Sequence, residues 1–165
     1  SGCDWSSDVC SSDLFFSHFN CDAITVSPYM GEESIEPFIS NPSKGAYVLC
    51  RTSNKSSTFI QEEIYSKVIS LCEALNNQQN IGLVVGATND DALMQVRNST
   101  DLPFLIPGIG AQGGDLQSVL KINENSMDTT LINVSRGIIF SGNKDHDSIR
   151  NSAKQYLNQL RGLNG

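Results

Sequence analysis

The chain has 165 residues, with 18 acidic and 11 basic side chains and a formal net charge of -7, and this length fits one globular domain. The acidic balance argues against nucleic-acid partners, because surfaces that bind the phosphate backbone need clustered lysine and arginine. No apolar run approaches the roughly 20 residues of a membrane-spanning helix, and the first residues lack the apolar core of a secretory signal. We therefore expect a cytoplasmic protein without membrane partners. Its five cysteines are scattered, so we expect reduced thiols and no zinc site.

The first 14 residues differ in character from the rest of the chain. They read SGCDWSSDVCSSDL and have neither helical nor strand periodicity. Residues 4–14 resemble the in-frame translation of an oligonucleotide adapter used in DNA sequencing. We interpret residues 1–14 as a non-native segment, exclude them from the fold prediction and take residues 15–165 as the natural sequence.

Five short apolar runs from Phe15 onward alternate with segments of helical character. This alternation predicts repeated βα units and a parallel sheet, and the mostly apolar runs predict strands that are covered on both faces. The predicted strands are Ala23–Val26, 46–50, Ile81–Val85, 104–106 and 130–134.

The clearest predicted helix is Thr58–Leu75, which opens with a capping box from Thr58 to Gln61. Its apolar residues recur at helical spacing and should pack on the sheet; they are Ile60, Ile64, Val68, Leu71, Cys72 and Leu75. A shorter helix follows an N-cap at Asp115, and another spans 147–160 and ends before a glycine. Weaker patterns predict helices at 90–96 and 34–39.

Polar residues follow each predicted strand directly. These segments are 27–29, 51–54, 86–89, 107–112 and 135–137. The carboxyl ends of parallel strands form the ligand face both in open α/β sheets and in closed barrels. The sequence therefore predicts a ligand site built from these five segments.

The length favours no single architecture. About 150 residues remain for five βα units, and eight units of that size approach the roughly 250 residues of a (β/α)8 TIM barrel. One interpretation is an incomplete TIM barrel whose first three βα units are missing. A complete five-stranded flavodoxin-like sheet is equally compatible with the length.

The glycine-rich loop at residues 107–115, PGIGAQGGD, carries the strongest chemical signal. Glycines such as Gly108 and Gly110 let the backbone approach a ligand closely, and the start of the following helix suits a phosphate. The loop also matches the G-x-G-x-x-G pattern of dinucleotide sites. Three features argue against that function: Pro107 at the strand end, the late position in the chain, and Arg136 after the next strand where an acidic residue is expected.

Arg136 offers a different use for the loop. A guanidinium just beyond the last strand can bind a phosphate through two charge-assisted hydrogen bonds. In TIM barrels the loops after the seventh and eighth strands commonly form a phosphate site. The alternative is that Arg136 pairs with a surface carboxylate.

Five ordered motifs, at 22–31, 49–54, 82–88, 107–115 and 133–136, resemble the orotidine 5'-phosphate decarboxylase family, particularly its bacterial subgroup with the motif D-A-x-T-x-x-P-Y. The resemblance runs from about Phe15 to the C-terminus. It implies a (β/α)8 barrel, usually a homodimer, that converts orotidine 5'-phosphate to UMP and CO2 in the last step of de novo pyrimidine biosynthesis. It implies no metal or organic cofactor, and it makes the five strands here the fourth to the eighth.

The resemblance also implies roles for individual residues. Gln112 corresponds to the glutamine that bridges phosphate and pyrimidine, and Arg136 to the arginine on the phosphate. Ser53 corresponds to the serine at the pyrimidine edge, Pro107 to the proline that lines the base pocket, and the backbone of Ser135 to a phosphate-contacting amide. Gly108 and Gly110 belong to the same predicted substrate site, whereas Ser27 and Tyr29 are weaker candidates.

The sequence departs from the family in its catalytic array. The family places an Asp-x-Lys-x-x-Asp array after the third strand, and this chain contains no such motif. We expect its six lysines to lie at the surface and its isolated His18 and His146 to have no catalytic role. We therefore predict a C-terminal portion of a decarboxylase that is itself inactive. The alternatives are a non-catalytic α/β domain that binds a phosphate ligand and, more remotely, an NADP-dependent oxidoreductase.

Overall fold

The computed structural model describes residues 11–110 and 112–162, so Cys3, Cys10 and most of the predicted non-native segment lie outside the described residues. All five predicted strands are present, and none of their ends moves by more than one residue. They are β1 (Ala23–Val26), β2 (Gly45–Arg51), β3 (Ile81–Val85), β4 (Phe104–Pro107) and β5 (Thr130–Asn133).

Among the described residues, five helices follow the predicted pattern with small shifts, and a sixth, at Arg136–Ile139, has no predicted counterpart. They are α1 (Glu36–Ile39), α2 (Thr58–Leu75), α3 (Asp90–Arg97), α4 (Leu116–Ile122), α5 (Arg136–Ile139) and α6 (His146–Leu160). A π-helical turn at Leu14–His18 and 3-10 segments at Glu32–Ser34 and Glu124–Thr129 complete the order. The predicted helix 34–39 is divided because Ser34 ends a 3-10 turn, and Pro37 lies in the first turn of α1, where a missing N–H costs nothing.

Strand order distinguishes the two architectures that length left open. The strands pair in the sequential order β1-β2-β3-β4-β5, and every pair is parallel. A flavodoxin-like sheet has the order 2-1-3-4-5, which requires the chain to reverse its direction across the sheet. Right-handed crossovers in sequential order place the connecting helices on one face, as in a TIM barrel. The sheet is therefore part of a barrel and not a flavodoxin-like fold.

The core lies between the sheet and the helices on its outer face. Val48, Leu83 and Phe104 are fully buried on the strands, and Leu93 and Val119 are fully buried on α3 and α4. The inner face is less covered, with Leu131 on β5 54% exposed. The expectation that every strand is covered on both faces is therefore wrong for β1 and β5, because no described strand lies beyond these edges or across the inner face.

The start of α2 differs from its prediction. The side chain of Gln61 does not cap the helix, because its amide oxygen accepts a 2.8 Å hydrogen bond from the Thr52 N–H and its Nε2 donates to the Thr52 hydroxyl. Ile60 is 52% exposed and does not pack on the sheet, whereas Val68 and Ile69 are buried there. The first turn of α2 therefore extends past the sheet and holds the segment that follows β2.

Lys44 contradicts the expectation that all six lysines lie at the surface. Its side chain is only 14% exposed; Nζ donates a 2.6 Å hydrogen bond to the Cys21 carbonyl and lies 3.9 Å from the Asp22 carboxylate. Lys44 precedes β2, so it lies at the amino end of the sheet, away from the predicted ligand face. The other five lysines are exposed, as predicted.

The buried cysteines are not reactive thiolates. Cys50 and Cys72 are buried free thiols, and burial raises the pKa of each to about 12. Among the described residues, no group of histidine, cysteine and acidic side chains is arranged to hold a metal ion. No helix in the described part of the chain is long and apolar enough to cross a membrane.

Asp145 is the N-cap of α6, which begins one residue earlier than predicted. Its carboxylate accepts a 2.7 Å hydrogen bond from the Ser148 N–H, and this bond lowers the pKa of Asp145. We expect Asp145→Ala to lower the melting temperature at pH 7 more than Asp147→Ala does, because only Asp145 satisfies an otherwise unpaired amide.

The same cap predicts a pH dependence. A carboxyl group whose pKa is lower in the folded state stabilises the fold above its unfolded pKa, and that stabilisation is lost as the pH falls through the lowered value. Thermal unfolding of both variants and the unsubstituted chain from pH 7 to pH 2 should show the Asp145→Ala difference shrinking with acidity. A difference that stays constant across this range would contradict the cap.

Candidate functional site

Two predicted site residues from distant parts of the chain meet beyond the carboxyl ends of β2 and β4. The Ser53 hydroxyl donates a 2.5 Å hydrogen bond to Oε1 of Gln112. The Thr88 hydroxyl, after β3, donates to the Ser53 carbonyl at 3.1 Å. Segments after three neighbouring strands therefore form one polar cluster at the predicted ligand face.

Glycines make room for this cluster. A Cβ on Gly108 would lie 3.2 Å from both Oε1 of Gln112 and Cβ of Ser53, and Gly108 has a φ of +102°. A Cβ on Gly86 would lie 2.7 Å from the Ser53 backbone nitrogen, which is closer than real contacts allow. The Ser53 backbone therefore occupies the space that a side chain at Gly86 would fill, and the Ser53 and Gln112 side chains occupy the space beside Gly108.

Arg51 anchors the end of β2 from the outer face of the sheet. It is 6% exposed, its Nη1 donates to Oε1 of Gln95 at 3.2 Å, and its Nη2 forms a salt bridge with Glu62. The guanidinium carbon also lies 5.0 Å from the centre of the Tyr65 ring. These partners belong to α2 and α3, so both helices fix the strand end from which Ser53 projects.

The glycine-rich loop has the backbone conformation that its sequence predicts. Gly108, Gly110 and Gly113 all have positive φ, which other residues rarely adopt. The loop closes on itself through three hydrogen bonds, from Gly110 N to the Gly114 carbonyl, from Gly113 N to the Gly110 carbonyl and from Gly114 N to the Gly108 carbonyl. Ala111 lies outside the described residues.

The start of helix α4, which the sequence suggested as part of a phosphate site, has the acidic N-cap that the sequence also predicted. The Asp115 carboxylate accepts a 3.0 Å hydrogen bond from the Ser118 N–H, which lowers the pKa of Asp115. A fixed negative charge at this end opposes the binding of a second anion there. Phosphate recognition by this part of the chain would therefore depend on the loop backbone and on Arg136.

Arg136 is available for a ligand. It is exposed at the first position of α5, three residues after the end of β5. Within residues 11–110 and 112–162 it makes no ion pair, so the alternative of a surface salt bridge has no partner in the described structure. The Ser135 hydroxyl donates to Oδ1 of Asn133 at 3.3 Å, and this side-chain hydrogen bond does not involve the Ser135 backbone amide.

Three predicted site residues border two cavities, whereas Pro107, Gly108, Ser135 and Arg136 line neither of them. Ser53, Thr88 and Gln112 line one of about 340 Å³, whose lining holds Lys55 and no carboxylate. Gly110 lines a second of about 400 Å³. Pro107, the last residue of β4, is half-buried, and its carbonyl accepts a 2.9 Å hydrogen bond from the Ala87 N–H.

The weaker candidates Ser27 and Tyr29 line a separate groove of about 710 Å³ between the segment after β1 and helix α2. This groove is mainly apolar and is bordered by the exposed side chains of Phe59 and Ile60. It contains neither Ser53 nor Gln112. We therefore place the candidate site at the polar cluster and not in this groove.

Three contributors to the site were given no role by the sequence interpretation. Gly86 and Thr88 lie in a predicted strand-end segment, and that position was the signal that could have identified them. Tyr156 on α6, which lines the same cavity as Gly110, was not identified. The signal for it was its four-residue spacing from buried Ser152, which places both side chains on one face of the helix.

Comparison with known proteins identifies the family. The family model described as orotidine 5'-phosphate decarboxylase / HUMPS family matches residues 8–148. A curated orotidine 5'-phosphate decarboxylase from Halorubrum lacusprofundi is 43% identical over 134 residues, which cover 73% of this chain and 49% of that protein. One from Dehalococcoides mccartyi is 42% identical over 154 residues, covering 85% of this chain and 57% of that protein. The chain thus spans about half the length of the curated relatives it matches.

Solved structures agree with the sequence relatives. The Leishmania donovani OMP decarboxylase structure has a TM-score of 0.80 and 35% identity, and the match covers 99% of this chain and 64% of that one. The Leishmania donovani UMP synthase structure has a TM-score of 0.82 and 38% identity, and the match covers 95% of this chain and 36% of that one. The family match begins inside segment 1–14, whose non-native origin stays a prediction. On the sequence and structural matches together, the chain belongs to the orotidine 5'-phosphate decarboxylase / HUMPS family.

Proposed function

We propose that this chain is the part of an orotidine 5'-phosphate decarboxylase that binds the pyrimidine and the phosphate of orotidine 5'-phosphate and UMP. The observation that carries the proposal is the hydrogen bond between Ser53 and Gln112, which are 59 residues apart in the chain. It joins the segment assigned to the pyrimidine edge to the segment assigned to the phosphate. Both the hydroxyl and the amide can form hydrogen bonds with a nucleotide.

Each predicted site residue has a proposed role in binding. Gln112 bridges phosphate and base, and Arg136 supplies the charge that holds the phosphate. Ser53 contacts the pyrimidine edge, Pro107 lines the base pocket, and the Ser135 amide donates to the phosphate. Gly108 and Gly110 allow the loop backbone to approach the same ligand.

We propose that this chain alone does not decarboxylate its ligand. In the family, apposed carboxylates destabilise the substrate carboxylate and a lysine protonates the carbanion left at C6. Lys55 borders the candidate site, but no carboxylate lines the same cavity, so this pairing is absent there. The described residues of this cavity can bind and orient a nucleotide. None of them is a lysine with a carboxylate beside it in the cavity lining, which is the pairing that the family uses to protonate the carbanion.

The five strands would be the fourth to the eighth of a closed barrel. Support comes from the sequential parallel order and from the edges at β1 and β5, which three further strands would join. A homodimer of the complete protein is also proposed. The exposed side chains of Tyr29, Phe59 and Ile60 around one groove offer an apolar surface for such contacts.

Calorimetric titration with UMP, uridine and ribose 5-phosphate tests the binding function, and release of CO2 from orotidine 5'-phosphate tests inactivity. We expect UMP to bind more tightly than either fragment, because base and phosphate are held by different segments, and we expect no enzyme-like CO2 release. Equal affinity for UMP and ribose 5-phosphate would favour a general phosphate-binding domain. Turnover at an enzyme-like rate would show that the chain holds a catalytic group.

A further inference from the structure

The C-terminal helix α6 contacts both segments of the proposed phosphate site. The Tyr156 hydroxyl lies 2.6 Å from the position that a Cβ would take on Gly110, in the glycine-rich loop after β4. It also lies 2.6 Å from the position that a Cβ would take on Gly137, directly after Arg136. One oxygen atom therefore touches the backbone of both segments, at places where only glycine leaves room for it.

A second side chain of the same helix face holds one of these segments. The hydroxyl of Ser152, which is 9% exposed and one helical turn before Tyr156, donates a 2.8 Å hydrogen bond to the Gly137 carbonyl. Ser152 thus fixes the start of α5 on α6, and Tyr156 lies between that start and the glycine-rich loop. The same three residues, Gly110, Gly137 and Tyr156, line the 400 Å³ cavity beside the loop.

The two glycines differ in a way that isolates this contact. Gly110 has a φ of +72°, so any other residue there is strained whatever its neighbours. Gly137 lies inside α5 without a positive φ, so its backbone accepts alanine, which is the better helix former. The steric obstacle to alanine at Gly137 is therefore the Tyr156 hydroxyl, since the next atoms, Cζ of Tyr156 and Cγ1 of Val134, would lie at 3.4 Å.

We infer that Tyr156 is a positioning residue for phosphate binding, whose hydroxyl acts as a spacer between the glycine-rich loop and the start of α5. By setting the separation of these segments, it sets where the Arg136 guanidinium lies relative to the loop backbone. This inference rests on the proposed function for its ligand. Tyr156 itself acts through Gly110 and Gly137 and does not need to touch the nucleotide.

The test is a cycle of three variants of the full chain, Gly137→Ala, Tyr156→Phe and the double variant, titrated with UMP and with uridine. Gly137→Ala should weaken UMP binding by about 10-fold or more, because the new methyl group pushes against the spacer. Uridine affinity should stay within about 2-fold, because uridine lacks the phosphate that the loop backbone and Arg136 are proposed to hold. Tyr156→Phe alone removes the spacer and should itself weaken UMP binding. In the double variant the alanine methyl group takes the space of the missing oxygen, which should restore UMP affinity to within about 3-fold of the unsubstituted chain.

A second measurement needs no ligand. Hydrogen exchange of the amides in 108–114 and 136–139 should rise in Gly137→Ala and return in the double variant, whereas Leu157→Ala, at the neighbouring exposed position, should leave it unchanged. UMP affinity or exchange that is equally perturbed in the single and double variants would overturn the inference. If the unsubstituted chain fails to bind UMP, the proposed function fails, and the exchange cycle alone decides whether Tyr156 is the spacer.

Discussion

Arg136→Ala is expected to weaken UMP binding by about 10- to 100-fold while uridine affinity stays unchanged. Arg136 is exposed and without an ion pair among the described residues, so its removal breaks no salt bridge there. A hydrogen bond to a charged group contributes about 1.5 to 3 kcal/mol, and about 1.4 kcal/mol corresponds to a tenfold change in affinity. Isothermal titration at fixed ionic strength measures the change.

Arg150→Ala is the matched control for charge. Arg150 is an exposed arginine on α6, so its replacement removes the same charge from the surface without touching the segment after β5. Its effect on UMP binding should be small and should disappear as salt is raised. If Arg136→Ala and Arg150→Ala weaken UMP equally, Arg136 contributes only to the general field and the phosphate site must be placed elsewhere.

Phe104→Ala is expected to lower the free energy of unfolding by about 3 to 5 kcal/mol, the usual cost of emptying a large aromatic position in a core. Phe104 is fully buried on β4. The guanidinium carbon of Arg97 lies 3.4 Å from the centre of its ring. Burial lowers the pKa of Arg97. Its Nη2 donates a 2.7 Å hydrogen bond to the Leu102 carbonyl, whereas its buried Nε and Nη1 have no hydrogen-bond partner among the described residues, so the ring is the group that faces the rest of this partly buried cation.

Phe59→Ala makes the same chemical change at a side chain that is 87% exposed on α2. Its effect on the free energy of unfolding should stay within about 0.5 kcal/mol. Urea denaturation followed by circular dichroism measures both variants. A loss below about 1 kcal/mol for Phe104→Ala, or equal losses for the two variants, would mean that the outer face of β4 is not the core.

Local patterns in the sequence predicted most elements of the fold because they depend on neighbours in the chain. Strand Ala23–Val26, strand Ile81–Val85 and helix Thr58–Leu75 have the predicted ends. Apolar runs that are buried on both faces and helical spacing of apolar residues are signals of this local kind. The positive φ of Gly108 and Gly110 is likewise a property of the residue type, so the shape of the loop was foreseeable.

Predictions about individual contacts were less accurate, because a polar side chain binds whichever partner the fold brings near. Gln61 was expected to cap its own helix and instead binds Thr52, nine residues earlier, on the loop that carries Ser53. Lys44 was expected in solvent, but it reaches the Cys21 carbonyl 23 residues away. Helical or strand spacing contains no information about either partner.

The sequence by itself determined the type and order of the elements, the glycine-dependent loop after β4 and, through its ordered motifs, the family. The family resemblance implied a barrel, but only the tertiary structure showed the strand order that excludes a flavodoxin-like sheet, because that order depends on which strands pair and both folds share the same alternation of elements. It also decided that Ser53 meets Gln112 and that Tyr156 lies against two glycines. These contacts join residues that are far apart in the chain, and parallel strands bring them together at one end of the sheet.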